Sequence, residues 1–562
     1  MENLKTQISN TIKDLYNITD LPIELSPAPD DVTGDYATNI ALRLAKTVGK
    51  PPHQIAEAII SKLAQTNPDI NSAIAGAGFI NITIKSSQLM HELDAKWSEK
   101  YGENTSGAGQ RAIVEFPSQN MAKPYSVGHL RPGNQGWAVK NLLEASGWAV
   151  ITDNHLGDSG TPFGIWATGF TRSGKSLDRV TVYELGEIYI EMKRLLKDES
   201  ESSATPLKDA VQDWLLKLEN KDPAAVKLST RFNEISLKHI HEIMTRLSIS
   251  TDYELGESFF LEQGKALVQK YLQAGIFQQN PDGSIICPLD DQGIDVPLLV
   301  LKSNGAALYA TTDLATMVYR AQEFHPDQVV YCVGVEQKFY FEQLFAMGKK
   351  LHLPQANIHL WFGTIDQLTD GKREKMSSRK GVVLMEELLN RAEATARDIT
   401  KDRAVSDADI QKIAVGAIKF TDFIADRKTN ILFDWDKIFA LTGFSGPFCQ
   451  YAAVRMNKII VQNSHTEATD YSTYDWEAEK PLIKLLLEYP DTVRLATDKL
   501  EAHRIATYIF RLAQAFNRYY ETTPVSQATP AEKSARLSLL QKLSQTFTHS
   551  LRLLGIETPT KM

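Results

Sequence analysis

Apolar positions recur at helical spacing over residues 37–48 and 54–63. They alternate with polar ones along Gly78-Phe79-Ile80-Asn81-Ile82-Thr83-Ile84. The pattern predicts amphipathic helices and a half-buried strand, hence a small α/β unit over residues 1–105. A polar, glycine-rich linker follows at 102–109. The run 111–116 predicts a buried strand. A helical pattern then extends to about residue 146, where Gly147 is placed as a C-cap, and 148–152 reads as a second strand. Strand, helix and strand within about 40 residues form the βαβ unit of a parallel sheet. Later strands are expected at 296–301, 328–333 and 358–362. The stretch from about 165 to 290 is helix-rich and reads as an insertion, with a polar, exposed loop at 198–203. After about residue 385 the pattern is helical throughout. Helices at 385–400, 408–423, 447–461, 481–496, 501–520 and 531–553 predict a bundle. No internal repeat is present.

Length and composition narrow the reading. A chain of 562 residues exceeds one core, so three or four domains are expected. With 43% hydrophobic and 23% charged residues the composition is globular. The net charge of −8 argues against coating nucleic acid by bulk charge, but leaves room for a locally basic groove. Residues 401–562 carry about 21 basic and 19 acidic side chains, so the C-terminal part is the less repulsive to a polyanion. Cys287, Cys332 and Cys449 are far apart, with neither zinc-type spacing nor an even count for a disulfide framework. A reducing cytoplasm fits them. No run approaches the length of a membrane span, and the start, Met1-Glu2-Asn3-Leu4-Lys5, lacks the apolar core of a secretion signal.

Two short segments carry the chemistry. Lys123-Pro124-Tyr125-Ser126-Val127-Gly128-His129 follows the 111–116 strand and opens a helix. A helix N-terminus at the end of a parallel strand offers oriented N–H groups to phosphate. Gly128 leaves room for a nucleotide against the backbone, and His129 can donate to phosphate oxygens. Lys375-Met376-Ser377-Ser378-Arg379-Lys380-Gly381 is a basic segment about 245 residues further on. Gly334-Val335-Glu336-Gln337 ends a strand, where ligands bind in open α/β sheets; read alone it is as well explained by a surface turn. Tyr309 and Asp313, four apart, share a face if helical. Asp313 reads equally well as a helix N-cap, and Glu257 as a surface acid.

In this order and at this separation, the first two segments resemble the nucleotide-binding signatures of class I aminoacyl-tRNA synthetases. The flanks resemble the arginyl-tRNA synthetase family. They include Ser118-Gln119-Asn120-Met121-Ala122-Lys123-Pro124, Asn154-His155-Leu156-Gly157-Asp158-Ser159-Gly160, Leu255-Gly256-Glu257-Ser258 and Tyr309-Ala310-Thr311-Thr312-Asp313. Near the C-terminus, Gly446-Pro447-Phe448-Cys449-Gln450-Tyr451-Ala452 and Leu512-Ala513-Gln514-Ala515-Phe516-Asn517-Arg518-Tyr519-Tyr520 match as well.

The resemblance implies a Rossmann-like α/β catalytic domain with a parallel sheet over 106–384, carrying the insertion. It implies an N-terminal α/β added domain over 1–105 and a C-terminal all-α anticodon-binding bundle over 385–562. It further implies an arginine–tRNA ligase. That enzyme forms arginyl-adenylate from arginine and ATP, with Mg²⁺ held mostly by the phosphates, and passes arginine to the terminal adenosine of tRNA(Arg). Lys123, Ser126, Gly128, His129 and Lys375 carry catalysis in this frame, with Gly334, Glu336, Met376, Ser377 and Ser378 also on ATP. Ser118, Asn120, Glu257, Tyr309, Asp313 and Gln337 would hold arginine. A planar, permanently charged guanidinium demands paired carboxylates. Tyr451, Arg455, Asn517 and Tyr520 are expected on tRNA. The family is commonly monomeric and typically needs tRNA to form the adenylate.

Ser126 replaces the family's first signature histidine, and Ser378 its second signature lysine, with Lys123 expected to compensate; weakened catalysis is the expectation. The rivals are another class I synthetase and a non-catalytic tRNA-binding paralogue. The carboxylate pair and the lack of zinc-type cysteines weigh against the first, and the second rests on Ser126 and Ser378 alone.

Overall fold

The computed structural model describes residues 2–19, 21–28, 34–121, 123–200, 206–369, 372–376, 383–463, 470 and 472–562. They pack as two compact units. One comprises Met1–Tyr101, His465–Glu488 and Ala515–Leu539, the other Gly102–Ser464, Tyr489–Gln514 and Leu540–Met562.

In the first unit, the alternating segment forms the strand Phe79–Ile84, whose Ile80 and Ile82 are fully buried. It pairs antiparallel with Ile70–Ala75 on one side and Tyr36–Thr38 on the other. Ile40–Val48 and Pro52–Thr66 are the expected helices, with Ile40, Leu44, Ile55 and Ile59 turned inward.

The second unit holds a four-stranded, all-parallel sheet. Its strands are β1 (Arg111–Glu115), β2 (Ala149–Asp153), β3 (Gln328–Tyr331) and β4 (Ala356–His359), in the spatial order β4-β3-β1-β2. β1 is buried on both faces. Ala112 and Val114 join one core, which continues into the helices Met385–Ile399 and Asp407–Thr421. Ile113 joins the other, with Val329, Leu314 and Phe341. A central parallel strand therefore reads as an unbroken apolar run rather than an alternation. Helix α1 (Leu130–Ala145) connects β1 to β2 and ends before Gly147, whose φ of +85° suits the position after a helix. Gly136 on α1 lets the helix approach closely, because a Cβ there would lie 2.4 Å from the Phe116 ring.

The insertion is helical, with its own core around Phe163, Trp166, Leu185 and Phe232. It leads into α2 (Glu257–Gln273), and α3 (Tyr309–Tyr319) packs on α2. Helix α4 (Lys338–Lys350) connects β3 to β4.

Three expectations need correction. The segment 296–301 is not in the parallel sheet. Leu298–Leu301 pairs antiparallel with Ile285–Cys287 in a separate three-stranded sheet. The two strands are too close in sequence for the helical crossover a parallel neighbour needs. Of the loop expected at 198–203, residues 198–200 end the helix Val182–Ser200, and the rest lie outside the described residues. The part after 385 is not wholly helical, since Ile431–Leu432 pairs in parallel with β5 (Ile365–Thr369), which forms a hairpin with β6 (Lys372–Lys375). The six predicted helices are otherwise present within a few residues: besides the two named, Gly446–Gln462, Lys480–Lys499, His503–Thr522 and Pro530–Leu553.

Buried Arg131 ties α1 to this later part. Its Nε donates to Asp422 at 2.7 Å, and its Nη1 to the carbonyls of Gly363 and Thr429 at 2.9 and 3.0 Å.

Candidate active site

A cavity of about 610 Å³ opens beyond the C-terminal ends of the parallel strands, where an open α/β sheet binds its ligands. The carboxylates of Glu115, Glu257 and Asp313 all line it. Glu257 is the first residue of α2, where burial pushes its carboxyl up to about 7; nearby His155 pulls the other way and Asp313 adds to the rise. The Ser159 hydroxyl donates to Glu257 Oε2 at 3.2 Å. Asp313 is the fifth residue of α3, not its N-cap, and shares the cavity-facing side with Tyr309, as the four-residue offset predicts. Burial raises Asp313's pKa too, and it accepts a hydrogen bond from the Tyr340 hydroxyl. Tyr309 is 58% exposed at the mouth.

Glu115, at the end of β1, accepts from Arg320 Nη2 at 2.7 Å, and the same guanidinium meets Asp153 at 2.7 Å. Arg320 is buried, and the two carboxylates outweigh that burial and keep it charged. The Ser118 hydroxyl donates to the other Glu115 oxygen at 3.3 Å. Ser118, Asn120 and Gln337 line the cavity. Asn120 is held by strand-like pairing with Gly157, where a Cβ would lie 2.5 Å from Asn120 Oδ1, so only glycine permits that approach. Asp158 accepts from Ser258 N at 2.8 Å and Ser258 Oγ at 2.5 Å, which makes it a cap for α2 rather than a ligand group.

The nucleotide signatures meet the same cavity. Gly128, His129, Gly334, Glu336, Lys375 and Met376 line it. Burial lowers the His129 pKa to about 4, and the charge of Lys123 adds to this, so the ring is neutral at pH 7. The Ser126 N–H donates to His129 Nδ1 at 3.3 Å, so the ring proton sits on Nε2 as a donor. Lys375 ends β6 and pairs with Glu336 at 2.8 Å. The first signature is tied to the residues just after the second, because Val127 N–H donates to the Val383 carbonyl at 3.0 Å and Ser126 pairs with Leu384. Ser377 and Ser378 lie outside the described residues.

Two expected groups are placed elsewhere. Ser126 does not line the cavity; its hydroxyl lies 3.2 Å from His129 Nδ1. Lys123 is not a lining residue either, and its ammonium sits 4.4 Å from the Tyr189 ring centroid. The sequence reading missed Glu115, His155 and Tyr340. A carboxylate at the C-terminal end of a buried parallel strand was the available signal for Glu115, and none pointed to Tyr340.

Of the residues expected on tRNA, Tyr451 and Arg455 lie in the larger unit. Tyr451 is flanked by the guanidiniums of Arg403 and Arg455, 5.6 and 5.7 Å from its ring centroid. Asn517 and Tyr520 lie in the smaller unit, with the Tyr520 ring 6.1 Å from that of Phe516.

A nucleotide site at the strand ends, fused to a carboxylate-lined pocket and followed by a helical bundle, defines a class I aminoacyl-tRNA synthetase. Residues 93–435 match the family described as tRNA synthetases class I (R), catalytic domain. Residues 449–562 match the DALR anticodon binding domain, and residues 2–84 the arginyl tRNA synthetase N terminal domain. An arginine–tRNA ligase of Halothermothrix orenii is 31% identical, covering 100% of this chain and 99% of the relative. One of Clostridioides difficile is 30% identical, covering 100% of both. Among solved structures, Thermus thermophilus arginyl-tRNA synthetase shares the fold with a TM-score of 0.80 at 23% identity, each chain fully covered. The chain belongs to the arginyl-tRNA synthetase family, and its activity is that of an arginine–tRNA ligase.

Proposed function

We propose that the cavity holds arginine and MgATP side by side and runs both steps of arginine transfer. Glu257 and Asp313 accept hydrogen bonds from the guanidinium, because buried donors of that charge need paired carboxylates. Glu115, ion-paired with Arg320, receives the α-ammonium, with Ser118, Asn120 and Gln337 orienting the amino-acid end. ATP lies along Gly128, His129, Gly334 and Met376, with His129 Nε2–H donating to a phosphate oxygen. The substrate carboxylate attacks the α-phosphate, the bond from the α-phosphorus to the α–β bridging oxygen breaks, and pyrophosphate leaves to give arginyl-adenylate; Lys375 leaves Glu336 to stabilise the charge developing on the phosphates. Among the described residues, the one group of three or more carboxylates and imidazoles spaced for a metal ion is Asp426, Glu501 and His503, none of which lines the cavity. In this reading Mg²⁺ arrives on ATP and is held mostly by the phosphates. The 2′-hydroxyl of the terminal adenosine of tRNA(Arg) then attacks the arginyl carbonyl of the adenylate, the acyl–phosphate bond breaks, AMP leaves and the hydroxyl proton passes to solvent or the AMP phosphate.

Tyr451, Arg455, Asn517 and Tyr520 are the proposed anticodon-facing groups, since arginine-flanked and exposed aromatics suit unstacked bases. A monomer in the cytoplasm completes the proposal. Three free, buried cysteines support a reducing compartment. Among the described residues, no helix is long and apolar enough to cross a membrane.

The observation that carries the reading is the pair of buried Glu257 and half-buried Asp313 in the cavity that the nucleotide signatures line. ATP–pyrophosphate exchange with each of the twenty amino acids, with and without tRNA, tests it. Exchange with arginine alone, and only when tRNA is present, is the expected result. Retained tRNA binding without exchange for any amino acid would instead mark a non-catalytic tRNA-binding protein.

A further inference from the structure

His155 follows β2 and lines the acidic part of the cavity. Its Nδ1 lies 2.9 Å from the Leu255 carbonyl. A carbonyl only accepts, so Nδ1 carries a proton and any second proton must sit on Nε2. Nε2 lies 3.7 Å from Asp313 Oδ1, is buried, and has no hydrogen-bond partner. Neutral, it presents a lone pair to the cavity; protonated, it presents a cation to Asp313.

The charges facing this ring come from every element around it. β1 supplies Glu115, β2 Asp153, α2 Glu257 and α3 Asp313. Arg320, just beyond α3, is the one permanent cation among them and is already shared between Glu115 and Asp153. On α4 the Tyr340 hydroxyl is spent on Asp313. When Glu257 and Asp313 are ionised, the empty pocket holds an excess of negative charge, which is costly without a counter-ion.

We propose that His155 is a resident stand-in for the substrate's cation: protonated on Nε2 beside Asp313 in the empty pocket, and neutral once a guanidinium takes that place. The proposal rests on the reading that this cavity binds arginine. The incoming guanidinium repels the imidazolium and satisfies Asp313, the Nε2 proton leaves to the buffer, and the freed lone pair accepts an N–H. The direction of the His155 shift agrees. Burial alone would lower it, but Glu115 and Asp313 together raise it above the ordinary 6.5. The sign follows. The protonated pocket binds arginine less well, so affinity rises with pH up to the empty-pocket pKa of His155 and then levels off. Within that window each pH unit is worth up to about tenfold in Kd. A neutral amino acid of similar shape cannot drive the exchange, so the device also favours a cationic side chain.

Calorimetric titration of the full chain with L-arginine between pH 6.5 and 8, in phosphate and in Tris, reads the protons released. Glu257, raised to about 7, can contribute its own share. The wild type should release protons, His155→Asn should release markedly fewer with a flatter Kd against pH, and Glu257→Gln should keep the His155 share. Release from His155→Asn equal to that of the wild type would overturn the proposal. A histidine-ring NMR titration of the wild type decides independently, with the signal assigned through His155→Asn or His155→Gln. The expected pKa lies above 6.5 when empty and falls on saturation with arginine; an unchanged pKa sinks the idea. A wild type that binds no arginine, with or without tRNA, would defeat the functional reading itself, whereas binding without proton release defeats this inference alone.

Discussion

Single side chains decide what this cavity accepts. Asp313 is half-buried, fixed by Tyr340, and offers a carboxylate that a strong donor satisfies best. Asp313→Ala should raise the KM for arginine by about a hundredfold or more, the scale of removing one partner from a buried charge pair, and leave the KM for ATP close to wild type. Steady-state kinetics with each substrate varied in turn checks this, and an unchanged arginine KM would remove Asp313 from the pocket. Lys375 is a different case. Its pair with Glu336 is half exposed and adds little to stability. Lys375→Ala should therefore unfold at the same denaturant concentration as the wild type and lower kcat by about a hundredfold, the size of one lost electrostatic stabiliser. A loss confined to the KM for arginine would contradict the assignment.

At the scale of elements, Gly157 sets the position of Asn120 through backbone pairing. Gly157→Ala should push Asn120 aside and raise the KM for arginine by about tenfold, since small misplacements near reacting groups are expensive. A crystal structure of the variant with Asn120 unmoved would argue otherwise. The parallel sheet, its α1 crossover and the six later helices were legible because apolar spacing reports burial directly. The β5–β6 hairpin was not. Ile365-Asp366-Gln367-Leu368-Thr369 and Lys372-Arg373-Glu374-Lys375 are too polar to read as strands, although Asp370-Gly371 between them is a hairpin-turn signal. That hairpin delivers Lys375 to the cavity, so the missed element carries a proposed site residue. Glu257, Asp313 and Tyr309 were legible only through their family-like frame. The parking of Lys123 over Tyr189 was not legible at all, because nothing local links a loop before α1 to a helix of the insertion.

For the molecule as a whole, stability carries a pH signature. His549 is buried against Tyr489, whose hydroxyl lies 2.6 Å from its Nδ1. Burial, and then the charge of Arg552, lower its pKa from 6.5 to about 4. Between these values the unfolded chain takes up a proton that the folded ring refuses. Stability from this group is therefore intact above 6.5, falls as pH drops, and is lost to the extent of about 3 kcal/mol below 4. His549→Gln should be the less stable protein at pH 7.5, and the gap should narrow by about 2 kcal/mol at pH 5. Urea unfolding at the two pH values measures this, and parallel losses in both proteins would refute it. The three cysteines have a practical consequence. All are free and buried, burial pushes the thiol of Cys287 up to about 12, and it raises those of Cys332 and Cys449 further. Thiolate is the reactive form, so the native chain is nearly silent toward maleimides. A single cysteine introduced at an exposed site such as Val461, which is 70% exposed, becomes the one labelling handle. Fluorescent reporters can then be attached without first stripping out the natural thiols.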